Sequence, residues 1–161
     1  DFKISINISP YHFREPEFVD ELQNDFADFP YMQKNIVFEI TESTSISNQP
    51  LIAEALAQLA AFGGGVALDD FGPGFSNLDL IGTRLIDFIK IDRSLVCFAD
   101  VQSGYARLLG GLQAMAEQTE VALVAEGVET QSQMQVIRRI GVEWIQGFHF
   151  SRPELVEERI D

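Results

Sequence analysis

The chain has 161 residues and carries 25 Asp and Glu against 11 Lys and Arg, a formal charge of −14. That balance leaves no basic face for a nucleic-acid duplex or an anionic membrane surface, and no stretch approaches the ~20 apolar residues that span a bilayer. A 46% hydrophobic content over this length predicts a single domain, residues 1–161, with a substantial core. The lone Cys97 excludes an internal disulfide; its apolar neighbours mark a buried structural thiol, and a reducing, cytoplasmic setting is expected, with no secretory leader at the start.

Apolar β-rich runs are expected at about 3–8, 35–40, 65–70, 86–91, 121–126 and 143–148, with helical segments filling most of the gaps. A helix is expected over about 15–28, and a clearer one over about 50–62, where Pro50 suits the first turn and Leu51, Ile52, Ala55, Leu56, Leu59 and Phe62 form a stripe. Gly63, Gly64 and Gly65 end it. Residues 102–118 read as a further helix with Leu108, Leu109, Leu112 and Met115 facing inward. Thr130 opens and Gly141 closes the last, with Met134, Ile137 and Ile140 on one face. Strands apolar on both faces and alternating with helices predict an α/β fold with a helix-covered parallel sheet.

Several of these runs end in residues that hold metals or move protons: Asn7, Glu39, Asp69 with Asp70, Lys90 with Asp92, and Glu126. A functional cluster at the C-terminal ends of parallel strands is the arrangement of a TIM-like (β/α)₈ barrel. Six strands against eight lead to the expectation that about two βα units are absent and that the chain is the C-terminal three quarters of the barrel. Oxygen donors of this kind suit Mg²⁺ or Mn²⁺, and adjacent Asp69 and Asp70 repel unless a cation lies between or beside them. Two ions can offset phosphate charge during in-line displacement. Lys90 could then orient water or stabilise an oxyanion, and Glu126 could serve as ligand or general base. Plainer roles compete: Asp92 could bond a neighbouring backbone group or Arg93, Glu42 could cap the following turn, and Glu129 could serve the first turn of the next helix. His12 and His149, without a second His or Cys at ligand spacing, read as surface or supporting residues.

Six blocks in order resemble the EAL domain, the bacterial cyclic di-GMP phosphodiesterase barrel. They are Asn7-Ile8-Ser9-Pro10, Glu39-Ile40-Thr41-Glu42-Ser43, Leu68-Asp69-Asp70-Phe71-Gly72, Lys90-Ile91-Asp92-Arg93-Ser94, Ala125-Glu126-Gly127-Val128-Glu129-Thr130, and Gln146-Gly147-Phe148 with Ser151-Arg152-Pro153. The resemblance implies that Asn7, Glu39, Asp69 and Asp92 are metal ligands or their neighbours, with Asp70 bridging toward a second metal. It implies that Lys90 holds water or phosphate, that Glu126 is a ligand or base, and that Gln146 positions water or substrate. Glu129 would support the site, and Glu42 would anchor the loop 71–77, which in this family couples dimerisation and signal input to catalysis. The implied product is linear pGpG, and the implied partners are a second copy of the domain and an upstream sensory or regulatory domain.

Two departures from the family pattern stand out. The loop usually reads Gly-Thr-Gly-Tyr-Ser-Ser and here reads Gly72-Pro73-Gly74-Phe75-Ser76-Asn77; Pro73 fixes one φ angle and removes an N–H, predicting a stiffer loop. The Glu-Ala-Leu motif itself is missing, so the 161 residues alone are expected to be weak or inactive as an enzyme. A non-catalytic cyclic di-GMP sensor or protein-interaction module is the second reading, and a Mg²⁺-dependent barrel of the enolase type is a distant third.

Overall fold

The computed structural model describes residues 3–9, 11–15, 17–29, 33–41, 50–72 and 78–153. Glu42 and loop residues 73–77, both singled out in the sequence, lie outside the described residues. Six parallel strands follow one another in chain order across one sheet: β1 (Ile4–Ile8), β2 (Ile36–Thr41), β3 (Gly65–Phe71), β4 (Phe88–Ile91), β5 (Ala122–Ala125) and β6 (Trp144–Ile145). The helices are α1 (Phe18–Asp25), α2 (Pro50–Phe62), the short α3 (Leu78–Ile81), α4 (Arg93–Val101), α5 (Ser103–Thr119) and α6 (Gln131–Ile140). A single 3₁₀ turn, His12–Arg14, follows β1.

The pleat divides the strand residues into two sets. Ile36, Phe38 and Ile40 of β2, Val66 and Leu68 of β3, Ile89 and Ile91 of β4, and Leu123 and Ala125 of β5 are buried in one core with Leu56 and Leu59 of α2 and with Leu95, Leu109 and Ile137 of α4 to α6. Burying each aliphatic side chain of this kind contributes about 1.5–3 kcal/mol, so the sheet cannot slip register without exposing the set. The alternate residues, among them Ser5, Val37, Glu39, Ala67, Phe88, Lys90, Val124, Trp144 and Gln146, line a cavity of about 150 Å³ on the other face. That is the inward face of a barrel wall. Among the described residues the sheet does not close: β1 and β6 are its edges, and Ile4 and Trp144 on them are 39% and 50% exposed.

Helix ends follow local chemistry. Thr130 caps α6 in a reciprocal capping box with Gln133, and Gly141 ends the helix in the left-handed region at φ 103. Gly63 does the same for α2 at φ 93. Two positions of the expected stripes differ. Leu51 and Leu108 are 64% and 44% exposed, because Ile52, Ala55, Leu56 and Leu59, and likewise Leu109, Leu112 and Ala116, already complete the 3–4 spacing that faces the sheet. Helix α4 has no counterpart among the expected elements. It starts immediately after β4, where the Asp92 side chain caps it by accepting from the Ser94 N–H at 2.9 Å. Cys97 on α4 is half-buried, and its sulfur accepts from Gln133 Nε2 at 3.4 Å, the setting of a packing thiol.

Candidate active site at the strand ends

The inward positions change character toward the C-terminal ends. Two residues beyond Val37, Ala67, Phe88 and Val124 come Glu39, Asp69, Lys90 and Glu126; the register staggers them, with Glu39 opposite Ala67 and Lys90 opposite Val124, so that they climb obliquely across the sheet. Lys90 stands at the centre. Its Nζ lies 2.7 Å from Glu39 Oε2, 2.8 Å from Asp69 Oδ1 and 2.8 Å from Glu126 Oε1, so the three donors of one ammonium meet three carboxylates from three other strands. Burial alone would lower the Lys90 pKa, but the bonds to Asp69, Glu126 and Glu39 outweigh it and hold the group charged well above the ordinary lysine range.

Asp70 enters by a backbone device. Successive residues of a regular strand point to opposite faces, yet the β3–β4 register shifts between Leu68 and Phe71 and Asp70 sits at φ 55. Asp is among the few residues that enter that region readily. The bulge lets Asp69, Asp70 and Glu126 each bring a carboxylate oxygen within 4.8 Å of the others. Burial, with Asp69 and Asp92 nearby, raises the Asp70 carboxyl above the ordinary range despite Lys90. Glu126 is likewise raised, by burial first and then by Asp69 and Glu39, against the opposing pull of Lys90. Four carboxylates around one ammonium leave a surplus of negative charge in a half-enclosed site. The donor set is all oxygen and converges on one point, which fits a hard divalent cation.

The other expected residues surround this centre. Gln146, just beyond β6, donates Nε2 to Glu126 Oε1 at 2.5 Å. Asn7 on β1 is exposed and lies in register with Glu39. Asp92 faces the Asp69–Asp70 bulge closely enough to raise Asp70, while its Oδ1 is engaged by Ser94; the packing there is tight, as a Cβ on Gly72 would lie 3.2 Å from Asp92 Cβ. Glu129 pairs with Arg93, Oε2 to Nη2 at 3.0 Å, rather than with the cluster. His12 is exposed and stacks on Phe18 at 5.0 Å, and His149 meets Phe150 edge-on at 5.3 Å. Sequence reasoning gave Arg93 no role of its own and did not see the bulge. The positive φ of a non-glycine residue has no signature in a strand that ends Asp-Asp.

Fold and site together define a metal-competent α/β barrel segment with its acidic centre at the C-terminal ends of parallel strands. The chain belongs to the EAL domain family: the family model described as "EAL domain" matches residues 1–153. Among curated relatives, the probable cyclic di-GMP phosphodiesterase PdeG of Escherichia coli K12 is 35% identical over 152 residues, covering 94% of this chain and 30% of that protein. The solved EAL domain of Mycobacterium smegmatis DcpA superposes with a TM-score of 0.86 at 33% identity, covering 95% of this chain and 69% of that one. Klebsiella pneumoniae BlrP1, solved as a manganese and cyclic di-GMP complex, superposes with a TM-score of 0.85 at 29% identity, over 94% of this chain and 39% of its own. The solved relatives share the TIM-like barrel architecture, of which the described residues hold six strands. The chain spans 30% of the length of PdeG and 38% of that of the Pseudomonas aeruginosa cyclic di-GMP phosphodiesterase RocR. None of its described helices is long and apolar enough to cross a membrane.

Proposed function

We propose that the protein bearing this domain hydrolyses one phosphodiester of cyclic di-GMP to linear pGpG with two divalent ions, Mg²⁺ or Mn²⁺, and so lowers the second messenger in bacterial signalling. The observation that carries the reading is the ring of Glu39, Asp69 and Glu126 around Lys90 with Asp70 turned in beside it. A cluster that acidic repels a phosphodiester unless cations neutralise it.

In this reading Asn7, Glu39, Asp69, Asp70, Asp92 and Glu126 hold the ions. Such ions, when bound, offset phosphate charge and make water a stronger nucleophile near neutral pH. Glu126 accepts a proton from the attacking water, a task favoured by a carboxyl that burial raises above its ordinary range. Lys90 holds the carboxylates together and presents positive charge to a non-bridging phosphate oxygen. Gln146 orients Glu126 through its amide. Water attacks phosphorus, one P–O bond to a ribose 3′ oxygen breaks, and that oxygen leaves with a proton from solvent. Glu129 supports the site. Residues 1–161 act as one domain of a cytoplasmic homodimer, downstream of a sensory or regulatory domain.

The test is incubation of the protein bearing this domain with cyclic di-GMP and Mn²⁺ or Mg²⁺, with products separated by chromatography. The expected result is pGpG, lost on chelation and restored by adding either ion. Tight binding of cyclic di-GMP with no product under any ion would replace the hydrolase with a sensor module.

A further inference from the structure

Among the described residues three polar or charged side chains are buried: Glu39, Lys90 and Gln133, at 5%, 6% and 7% exposure. Two of them stand in the acidic centre; Gln133, in the first turn of α6, lies outside it. A helix start accounts for only part of its bonding. The capping box with Thr130 needs the bond from the Thr130 N–H to Gln133 Oε1, 3.1 Å long. The same oxygen accepts a shorter bond, 2.8 Å, from the N–H of Glu129, which precedes the cap. The amide nitrogen donates the other way, to Cys97 Sγ on α4 at 3.4 Å. Two backbone donors on one side and a sulfur acceptor on the other leave the amide one orientation, oxygen toward the turn that joins β5 to α6.

That turn, residues 126–130, carries Glu126 at one end and is laced to the end of β6. The Gln146 N–H donates to Ala125 O at 2.9 Å, the Val128 N–H to Gln146 O at 3.1 Å and the His149 N–H to Val128 O at 2.9 Å. The Gln146 side chain in turn donates to Glu126, so a shift of the turn moves both members of that pair. From the side of β4, helix α4 grips the turn twice. Arg93 meets the Glu129 carboxylate at 3.0 Å, and Cys97, one helical turn further on, holds the amide that takes the Glu129 N–H. The Arg93–Glu129 side chains are 59% and 36% exposed, so solvent screens their attraction, whereas the Gln133 amide is buried. Helix α4 follows the Lys90 strand and the turn follows the Glu126 strand. Gln133 thus ties together the two elements whose ends meet at the 2.8 Å contact between Lys90 and Glu126. We infer that Gln133 is a positioning residue that sets the Glu126–Gln146 pair against Lys90 through the backbone of the turn, a role in catalysis that rests on the hydrolysis proposed above.

The test compares Gln133→Glu, Gln133→Asp and Gln133→Leu in the protein bearing this domain, by steady-state hydrolysis of cyclic di-GMP with Mn²⁺ and by amide hydrogen exchange without substrate. Glu keeps an acceptor of the same reach, at a helix start where negative charge is favoured. Asp keeps the charge but falls one methylene short, and Leu keeps the bulk alone. A reacting group displaced by about 1 Å costs up to about 100-fold. The expected kcat is therefore within about twofold of the unmodified value for Gln133→Glu and lower by about 10- to 100-fold for the other two, with KM little changed. Exchange at the Gln146 and His149 amides, which Gln133 does not touch, is expected to quicken in the Asp and Leu variants and to stay slow in the Glu variant. Thr130→Ala, which leaves both Oε1 bonds in place, controls for stability alone and is expected to keep its kcat. Should Gln133→Leu fail to fold by circular dichroism, the Glu and Asp pair carries the test. Full activity in Gln133→Asp overturns the inference. So does Gln133→Glu as impaired as Gln133→Leu, or quickened exchange confined to Glu129 and Thr130. If the unmodified protein makes no pGpG, the hydrolase is refuted and exchange at Gln146 and His149 still decides whether Gln133 holds the turn; pGpG production with those amides unmoved refutes the inference alone.

Discussion

One pleat step separates two kinds of surface on the inward face of this sheet. At Val37, Ala67, Phe88, Val124 and Trp144 the strands give apolar side chains to a small cavity; two residues further on, the same strands or their ends present Glu39, Asp69, Lys90, Glu126 and Gln146, of which Glu39, Lys90 and Gln146 line the same cavity. Each pair shares a strand and a face, so the difference lies chiefly in the side chains, with the β3 bulge the one backbone device added. The lower layer needs shape and burial, and the upper one needs convergent charge held at fixed positions. Separating the two by a single step lets four consecutive central strands contribute to the site while their helix-facing residues stay in one apolar core.

The comparison breaks most severely at Lys90. Lys90→Ala removes the only ammonium among three carboxylates and is expected to abolish cyclic di-GMP hydrolysis. It also leaves buried like charges unpaired, a change that costs about 3–5 kcal/mol in comparable sites, so the melting temperature should fall while the circular dichroism spectrum at 25 °C keeps its helix and sheet signature. Glu126→Gln isolates the chemistry from the stability, since the isosteric amide still meets Lys90. Turnover is expected to fall at least about 100-fold, the typical worth of a general base, with the melting temperature within a few degrees. Full activity in either variant would refute the role given to that residue.

In the layer below, the expected result is the reverse. Val37 is 5% exposed, and Val37→Ala deletes buried apolar surface worth about 1.5–2 kcal/mol while leaving Glu39 on its strand. Denaturant unfolding should record that loss, and the turnover number should stay within about twofold. A large loss of turnover with unchanged stability would mean that the two layers are not separable and that the lower cavity takes part in the reaction.

The arrangement was legible in the sequence because period-2 alternation in β2 to β5 puts Val37 and Glu39, or Phe88 and Lys90, on one face, and because parallel order gathers the strand ends on one side of the sheet. Thr130 with Gln133 and Gly141 likewise carry their helix boundaries in local chemistry. What was not legible depends on backbone choices made between strands. Adjacent Asp69 and Asp70 reach the same point only through the bulge and the left-handed Asp70, and no residue nearby announces it. Helix α4 was hidden because Asp92 reads as a strand-end ligand while it also caps the helix. Arg93 looked like a neighbour for Asp92, and its pairing with Glu129 depends on Gly127 bringing the β5 end against its stem. Leu51 and Leu108 satisfy a helical stripe on paper but lie at its margin, where the sheet no longer covers them.

The smallest expected effect tests whether stability outside the barrel wall reaches the site at all. Thr130 accepts from the Gln133 N–H, and Gln133 returns its own Oε1 to the Thr130 and Glu129 N–H groups. Thr130→Ala removes the first of these bonds and keeps the other two, so the loss should be that of one cap, about 1 kcal/mol. For a chain of this size that is a shift of about 2–4 °C in melting temperature, measurable by calorimetry. Turnover of cyclic di-GMP is expected to be unchanged, because Gln133 still fixes Glu129. If turnover falls with the cap intact in all other respects, then the N-terminus of α6 positions Glu129 through Thr130 as well, and the boundary between the stabilising shell and the reacting layer lies one helix further out than the strands alone define.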